Sequence, residues 1–336
     1  MEIGTASTHP MRSRARQQGS ASSRDPHQRV VAQHDDGEEN CENCNDHDTE
    51  DTMMPHETPS FIYALGKVQT RFPSLGIEKE FAQATAGVAT GGMTDPAALH
   101  AVLSEPQNRY LLRHMCWVLT IEGVDTYLLQ PSDPIDYALL TNSLTTPERM
   151  LDDVHDVDVV IGQRGPLAPP DMCNGLTVPI VMFDQVYSFL LEEFVDALTK
   201  KRKALEKDKD KQRDEIILDM LKVPEKAFAD AATVTFRHLH QLTDNAGSSD
   251  EHRALNYLAV RYDRIYQLAA VLHHQNHAFG SVEVRPSHIS SARNIVDVIF
   301  AFTSRETGVT EQWYVRVDVS EQYPFLVTPL GRFYDH

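Results

Sequence analysis

The sequence is short of nearly everything that announces a reaction or a charged macromolecular partner. Its 336 residues hold 31 Lys and Arg against 49 Asp and Glu, with four Cys and two Trp. The formal charge of −18 sets up a global field that opposes a phosphate backbone, and no face of clustered bases offsets it. The one dense basic run, Lys200 to Lys203, is followed at once by Glu206, Asp208, Asp210, Asp214 and Glu215, the pattern of a solvated helix face. Nucleic acid is therefore not an expected partner. Nor is a membrane: no apolar run approaches the ~18 residues of a spanning helix. Residues 1–30 scatter five arginines among Ser, Gln and Ala without the apolar core of a signal peptide. Cys116 and Cys173 stand singly in apolar or loop surroundings, so the expectation is a reduced, cytoplasmic protein.

Catalytic motifs are equally scarce. There is no Gly-x-Ser-x-Gly elbow for a nucleophilic serine and no Asp/His/Ser neighbourhood of the subtilisin kind. Gly162-Gln-Arg-Gly165 is too short for a phosphate loop and lacks the following Lys-Ser/Thr. Cys41-Glu-Asn-Cys44, with His34, His47 and His56 nearby, gives one knuckle where structural zinc normally needs two.

What is present divides the chain in two. Residues 1–58 form an acidic tail, with ten acids and no Lys or Arg between Asp35 and Glu57. Such a segment cannot bury enough apolar area to offset its ordering entropy, so disorder is expected. Met53-Met54 directly precedes the folded part and offers a second translation start. Residues 59–336 read as one α+β domain, a mixed or antiparallel sheet with packed helices and a long charged helical arm. Strands are expected over Phe61–Val68, Val157–Gly162, Leu176–Phe183, Ser281–Arg285, Ile295–Thr303 and Gln312–Val319. A hairpin turning at Glu122-Gly-Val-Asp125 joins a strand from Tyr110 to one ending at Leu129. Helices are expected over Gly76–Ala86, from Asp95-Pro96 and Asp133-Pro134, over Ala227–Leu242, and over Glu251–Gln275 behind a Ser249 or Asp250 cap. The stretch from Val186 to Val223 reads as one helix. Its middle, residues 199–216, is charged all round and so expected to stand in solvent as an insertion.

The body offers one histidine cluster. His273 and His277, at i,i+4 on the expected Glu251–Gln275 helix, would share a face as a zinc pair requires. Zinc is thus a possible cofactor. The alternative is a helix C-terminus whose histidines meet the dipole. His238 and His240, two apart, point to different sides of a helix.

Glu251-His-Arg-Ala-Leu-Asn-Tyr257, Gly280-Ser-Val-Glu-Val-Arg285 and Trp313-Tyr-Val-Arg-Val-Asp-Val-Ser320, followed by Pro324, together resemble one family, and Phe61-Ile-Tyr-Ala-Leu-Gly66 resembles its opening strand. The family is the C-terminal domain of unknown function in the cyanobactin maturation proteins, the PatG type of patellamide biosynthesis. The resemblance implies a pathway, maturation of ribosomal peptides, without a reaction. In full-length family proteins a subtilisin-type protease is expected ahead of this domain, and none is visible here, so peptidase or macrocyclase activity is not carried over. The family's Cys-containing turn before the penultimate strand is also missing, since Pro286–Ala292 has no Cys. The resemblance makes Arg253, Asn256 and Asp318 signature positions and candidate binding residues; a buried polar link between helix and strand ends is their structural alternative. The expected function is an accessory, non-catalytic domain that binds a precursor peptide or another maturation enzyme. The alternatives are a metal-dependent enzyme at His273/His277 and a homodimerising structural module.

Overall fold

The computed structural model describes residues 60–85, 96–144, 156–208, 214–240, 245–289 and 292–334. The acidic tail, the Cys41–Cys44 knuckle and the Met53-Met54 pair lie outside them.

Five strands close into a barrel: β1 (Ser60–Arg71), β2 (Cys116–Ile121), β3 (Val124–Pro131), β4 (Asp156–Leu167) and β5 (Pro179–Leu190). The order is β1-β2-β3-β5-β4, with β4 returning to β1; only β3 and β5 run parallel. Strand alternation sorts β1 cleanly. Ile62, Ala64 and Val68 point inward to meet Trp117, Leu119, Leu129, Val160 and Phe183. Short helices α1 (Leu75–Thr85), α2 (Pro96–Ser104), α3 (Arg109–His114) and α4 (Tyr137–Asn142) add Phe81, Val102, Leu111 and Leu140 to that core. Gly162 is required by closeness: a Cβ there would collide with the Met182 carbonyl on β5. The β2–β3 turn is made by Glu122 and Gly123 at φ 51° and 80°, as a twisted two-residue hairpin demands.

The outer barrel face, through Tyr63, Leu65, Val157, Val159 and Ile161, packs on α5 (Leu191–Leu205), α6 (Glu215–Lys222), α7 (Glu225–His240) and α9 (Arg264–His274). Helices α8 (Asp250–Arg261) and α9 bury apolar residues against a second sheet of β6 (His277–Pro286), β7 (Ile295–Ser304), β8 (Thr310–Asp318) and β9 (Phe325–Arg332). That sheet is wholly antiparallel, in sequence order. The helices thus form a layer between barrel and sheet, and the fold is α+β as expected.

Several local expectations fail for identifiable reasons. Tyr110–His114 is helix rather than strand; Leu111 and Leu112 turn into the core, and the Leu112 carbonyl accepts from Trp117 Nε1 at 2.9 Å. Strand β5 continues to Leu190, since its apolar run serves the barrel as well as it would a helix. The charged stretch is no single exposed arm. Helix α5 ends at Leu205, α6 starts behind the Asp214 cap, and Arg202 is only 6% exposed, donating to the carbonyls of Leu221 (3.2 Å) and Val223 (2.7 Å). The helix expected over Glu251–Gln275 breaks at Tyr262, whose φ of −117° and ψ of 90° are extended. A fourth closing strand, β9, follows Pro324.

Cys116 and Cys173 are joined by a disulfide across 57 residues of sequence, with Cα atoms 5.8 Å apart. Cys116 lies on the outer barrel face beside Val118 and Leu128, and the bond pins over them a loop bearing Met172 and Leu176. The argument for a reducing compartment from isolated thiols therefore falls away. No helix among the described residues is long and apolar enough to cross a membrane.

Candidate functional site

Arg253, Asn256 and Asp318 are all buried, and all three work at the junction of barrel, α8 and sheet. Asn256 donates through Nδ2 to the Tyr63 carbonyl at 2.8 Å and exchanges side-chain bonds with Asn245 at 2.8 and 3.1 Å. Asn245 in turn accepts from Gly247 N–H (3.2 Å), and Tyr63 N–H donates to the Gly247 carbonyl (2.9 Å). Gly247 has φ +70° and lies against Ala64 and Tyr63, where no side chain fits. Arg253 donates to the carbonyls of Val319, at 2.7 Å, and Glu321, and lies over the Phe61 ring at 5.3 Å. Burial pulls its guanidinium below the usual range, against the opposing pull of Asp250. Asp318 accepts from Ser320 N–H at 3.0 Å and pairs with Arg293 at 2.7 Å. Arg253 and Asp318 thus meet around the turn after β8, while Asn256 holds β1 one helical turn away. The groups named here bind the protein's own backbone and side chains, so these residues are positioning residues.

What they position is a groove. Tyr63, Ile161, Gln185, Tyr257, Arg261, Tyr323 and Pro324 line a cavity of about 350 Å³. One wall is the barrel strand that Asn256 fixes. A second is α8 itself, and the third is the turn that Arg253 clamps. The Tyr63 and Tyr187 hydroxyls are 3.3 Å apart, and Arg261 lies 5.1 Å over the Tyr187 ring. The Tyr63 and Tyr257 rings meet edge to face with centroids 6.4 Å apart. Burial first, then Tyr187, pushes the Tyr63 phenol far above its usual range, so it stays protonated and can donate. The groove offers aromatic faces, phenol hydroxyls and one guanidinium. Arg253, Asn256 and Asp318, the candidate binding residues, stand behind this lining rather than in it; Tyr257 and Arg261 at i,i+4 on one helix were the available signal for the lining itself.

The histidines lie elsewhere. Helix α9 ends at His274, Asn276 turns the chain at φ +63°, and His277 is the first residue of β6, so the shared helix face does not exist. His273 and His277 do line one small cavity of about 110 Å³ with His238, which stacks on Phe279. Among the described residues no group of three or more His, Cys, Asp or Glu is placed to hold a metal ion. His240 lines a different cavity of about 410 Å³ with Lys67, Glu122, Asp156 and Arg237.

A further buried group went unread in the sequence. Asp158 points into the barrel, 1% exposed, accepting from Val68 N–H at 2.5 Å and from Ser188 Oγ. Burial pushes its carboxyl up to about 7, although both hydrogen bonds act in the opposite direction.

A barrel and an open sheet joined by a helical layer, with a recessed aromatic groove at the seam, define the class of scaffold. The family model for the PatG Domain matches residues 61–279, more than half of the chain. The chain belongs to that family. The match opens on the expected first strand, Phe61, and ends at Phe279 within β6. A solved structure described as "PatG Domain of Unknown Function" is similar, at a TM-score of 0.63 and 19% identity over 82% of this chain and 98% of that one. At that identity it speaks for the fold. A comparison with curated proteins finds no match.

Proposed function

We propose that this chain is an accessory, non-catalytic domain of cyanobactin-type peptide maturation, and that it docks a precursor peptide or a partner enzyme in the Tyr63–Arg261–Tyr323 groove. The observation that supports this most is the groove itself: three separate elements converge on it, the strand held by Asn256, the turn held by Arg253, and α8, which carries both residues. Membership of the PatG domain family supports the pathway. An extended peptide leaving the groove would then add to a sheet edge. Among the described strands the closed barrel offers no edge, and β6 and β9 are the edges open to β-addition. Strand β9 follows directly from groove residues Tyr323 and Pro324, is uncharged from Pro324 to Gly331, and exposes Phe325 and Val327.

Titration calorimetry with the precursor peptide, paired with mass spectrometry of the peptide afterwards, tests the reading. The expected result is saturable binding, lost in Arg261→Ala, with the peptide mass unchanged. A mass change in the peptide would sink it. The metal-enzyme alternative has one supporting observation, the shared cavity of His238, His273 and His277. It predicts zinc that survives dialysis and is lost in His273→Ala.

A further inference from the structure

Cation–π pairs crowd one part of the molecule. Significant instances occur about once per 70–80 residues, yet four belong to the four-stranded sheet and its flanking turns. Arg285 lies over Phe333 at 4.7 Å, Arg332 over Trp313 at 4.8 Å, Arg293 over Phe325 at 4.9 Å and Arg316 over Tyr314 at 5.3 Å. The charge is distinctive as well. Residues 277–334 hold five arginines against six acids, near neutrality within a chain of −18. Three of those acids already face arginines: Asp297 pairs with Arg316, Asp318 with Arg293 and Glu311 with Arg332.

Arg285, Asp297 and Arg316 stand in register across β6, β7 and β8. Arg316 takes the carboxylate, with Nε at 2.7 Å and Nη2 at 3.3 Å, and Ser287 Oγ also accepts from its Nε at 2.9 Å. Arg285 has no ion pair with any described residue. Its guanidinium face is occupied by Phe333, which leaves the N–H edge for a planar acceptor. Phe333 meets Tyr314 edge to face at 5.9 Å, and these two rings with Tyr334, Arg285, His288, Arg332 and the Asp297–Arg316 pair line a depression of about 370 Å³, in which the Asp297 carboxylate is held by Arg316.

We infer that this depression is a binding site for a single carboxylate on a peptide, either a free C-terminus or an Asp or Glu side chain. Arg285 receives the two oxygens along its edge, as guanidinium–carboxylate geometry favours. The ring wall of Tyr314, Phe333 and Tyr334 takes the apolar side chain next to the carboxylate. A polyanion is disfavoured, because the remaining field of the chain opposes each added phosphate. The site shares no lining residue with the tyrosine groove and stands or falls without it.

The test uses the full chain and three N-acetylated tetrapeptides: one ending in Phe as the free acid, the same peptide as its amide, and an amidated peptide with Glu beside Phe. Binding is read by NMR chemical-shift titration. The free acid should bind at least about tenfold more tightly than its amide, through charge-assisted bidentate bonding. The Glu peptide decides whether a side-chain acid substitutes for the terminus. Arg285→Ala should remove the preference for the acid, and Arg285→Lys should restore only part of it, because charge returns without the fork. Equal binding of acid and amide, an unchanged preference in Arg285→Ala, or no binding of either acid would each overturn the assignment.

Discussion

The barrel and the four-stranded sheet manage exposed strands in opposite ways. The barrel closes β4 onto β1, leaves no edge, and fills its interior with Trp117, Phe183 and the residues of four short helices. The sheet covers one face with α8 and α9, leaves the other to arginines and aromatic rings, and keeps β6 and β9 as edges. A closed, filled barrel supplies rigidity but little recognition. An open sheet with an uncharged edge supplies recognition at some cost in solubility. The groove at their seam has one wall from each, and this division of labour predicts which substitutions damage the fold and which damage only binding.

The largest expected effect is in the barrel. Phe183→Ala removes a fully buried ring from the core and should cost about 3–5 kcal/mol in denaturant unfolding. A loss below about 1 kcal/mol would mean that the barrel is looser than described. Next comes the disulfide, which closes 57 residues of chain. Replacing Cys116 and Cys173 together by Ser should cost up to about 4 kcal/mol on the chain-entropy account. Unchanged stability, with free thiols found by alkylation of the native protein, would contradict the bond.

Asp158 makes the barrel's stability depend on pH. Its folded carboxyl titrates near 7 and its unfolded one near 3.8, so between those values the folded state binds more protons. This group's contribution therefore favours folding below about pH 4 and is progressively lost as pH rises to about 7, above which it stays flat. Asp158→Asn should flatten that part of the stability–pH curve; at roughly 1.4 kcal/mol per unit the effect is on the order of a few kcal/mol. A variant whose curve parallels the wild type would show that the carboxyl is not perturbed. Asn256→Ala is smaller in stability, about 1–3 kcal/mol, because it strands the Tyr63 carbonyl and the Asn245 amide in the interior. It should weaken the groove as well. Exposed Arg261→Ala should weaken the groove while shifting stability by no more than about 0.5 kcal/mol.

Much of the scaffold was legible where local signals and tertiary demands agree. The opening strand, the Glu122-Gly123 turn and the Ser249 cap, which accepts from His252 N–H at 3.2 Å, all lie where local chemistry puts them. The rest depended on distant partners. Nothing local separates a continuing β5 from a helix over Val186–Leu190, since the apolar residues there answer to β4 across the barrel. The break at Tyr262 has neither Gly nor Pro to mark it, and Pro324 and Pro329 disguised β9. The disulfide partners are too far apart in sequence to be paired by spacing. At the junction, Arg253, Asn256 and Asp318 were visible as a pattern, but their role was not. A buried polar residue looks the same in sequence whether it grips a ligand or, as here, holds the wall of a groove.

The most direct test of the division of labour is amide hydrogen exchange on the full chain, with and without saturating precursor peptide. Added protection is expected along residues 257–261 and 319–330, with the barrel strands over 117–131 unchanged. Protection centred on the cavity around Lys67 and Arg237, with 319–330 unaffected, would contradict it.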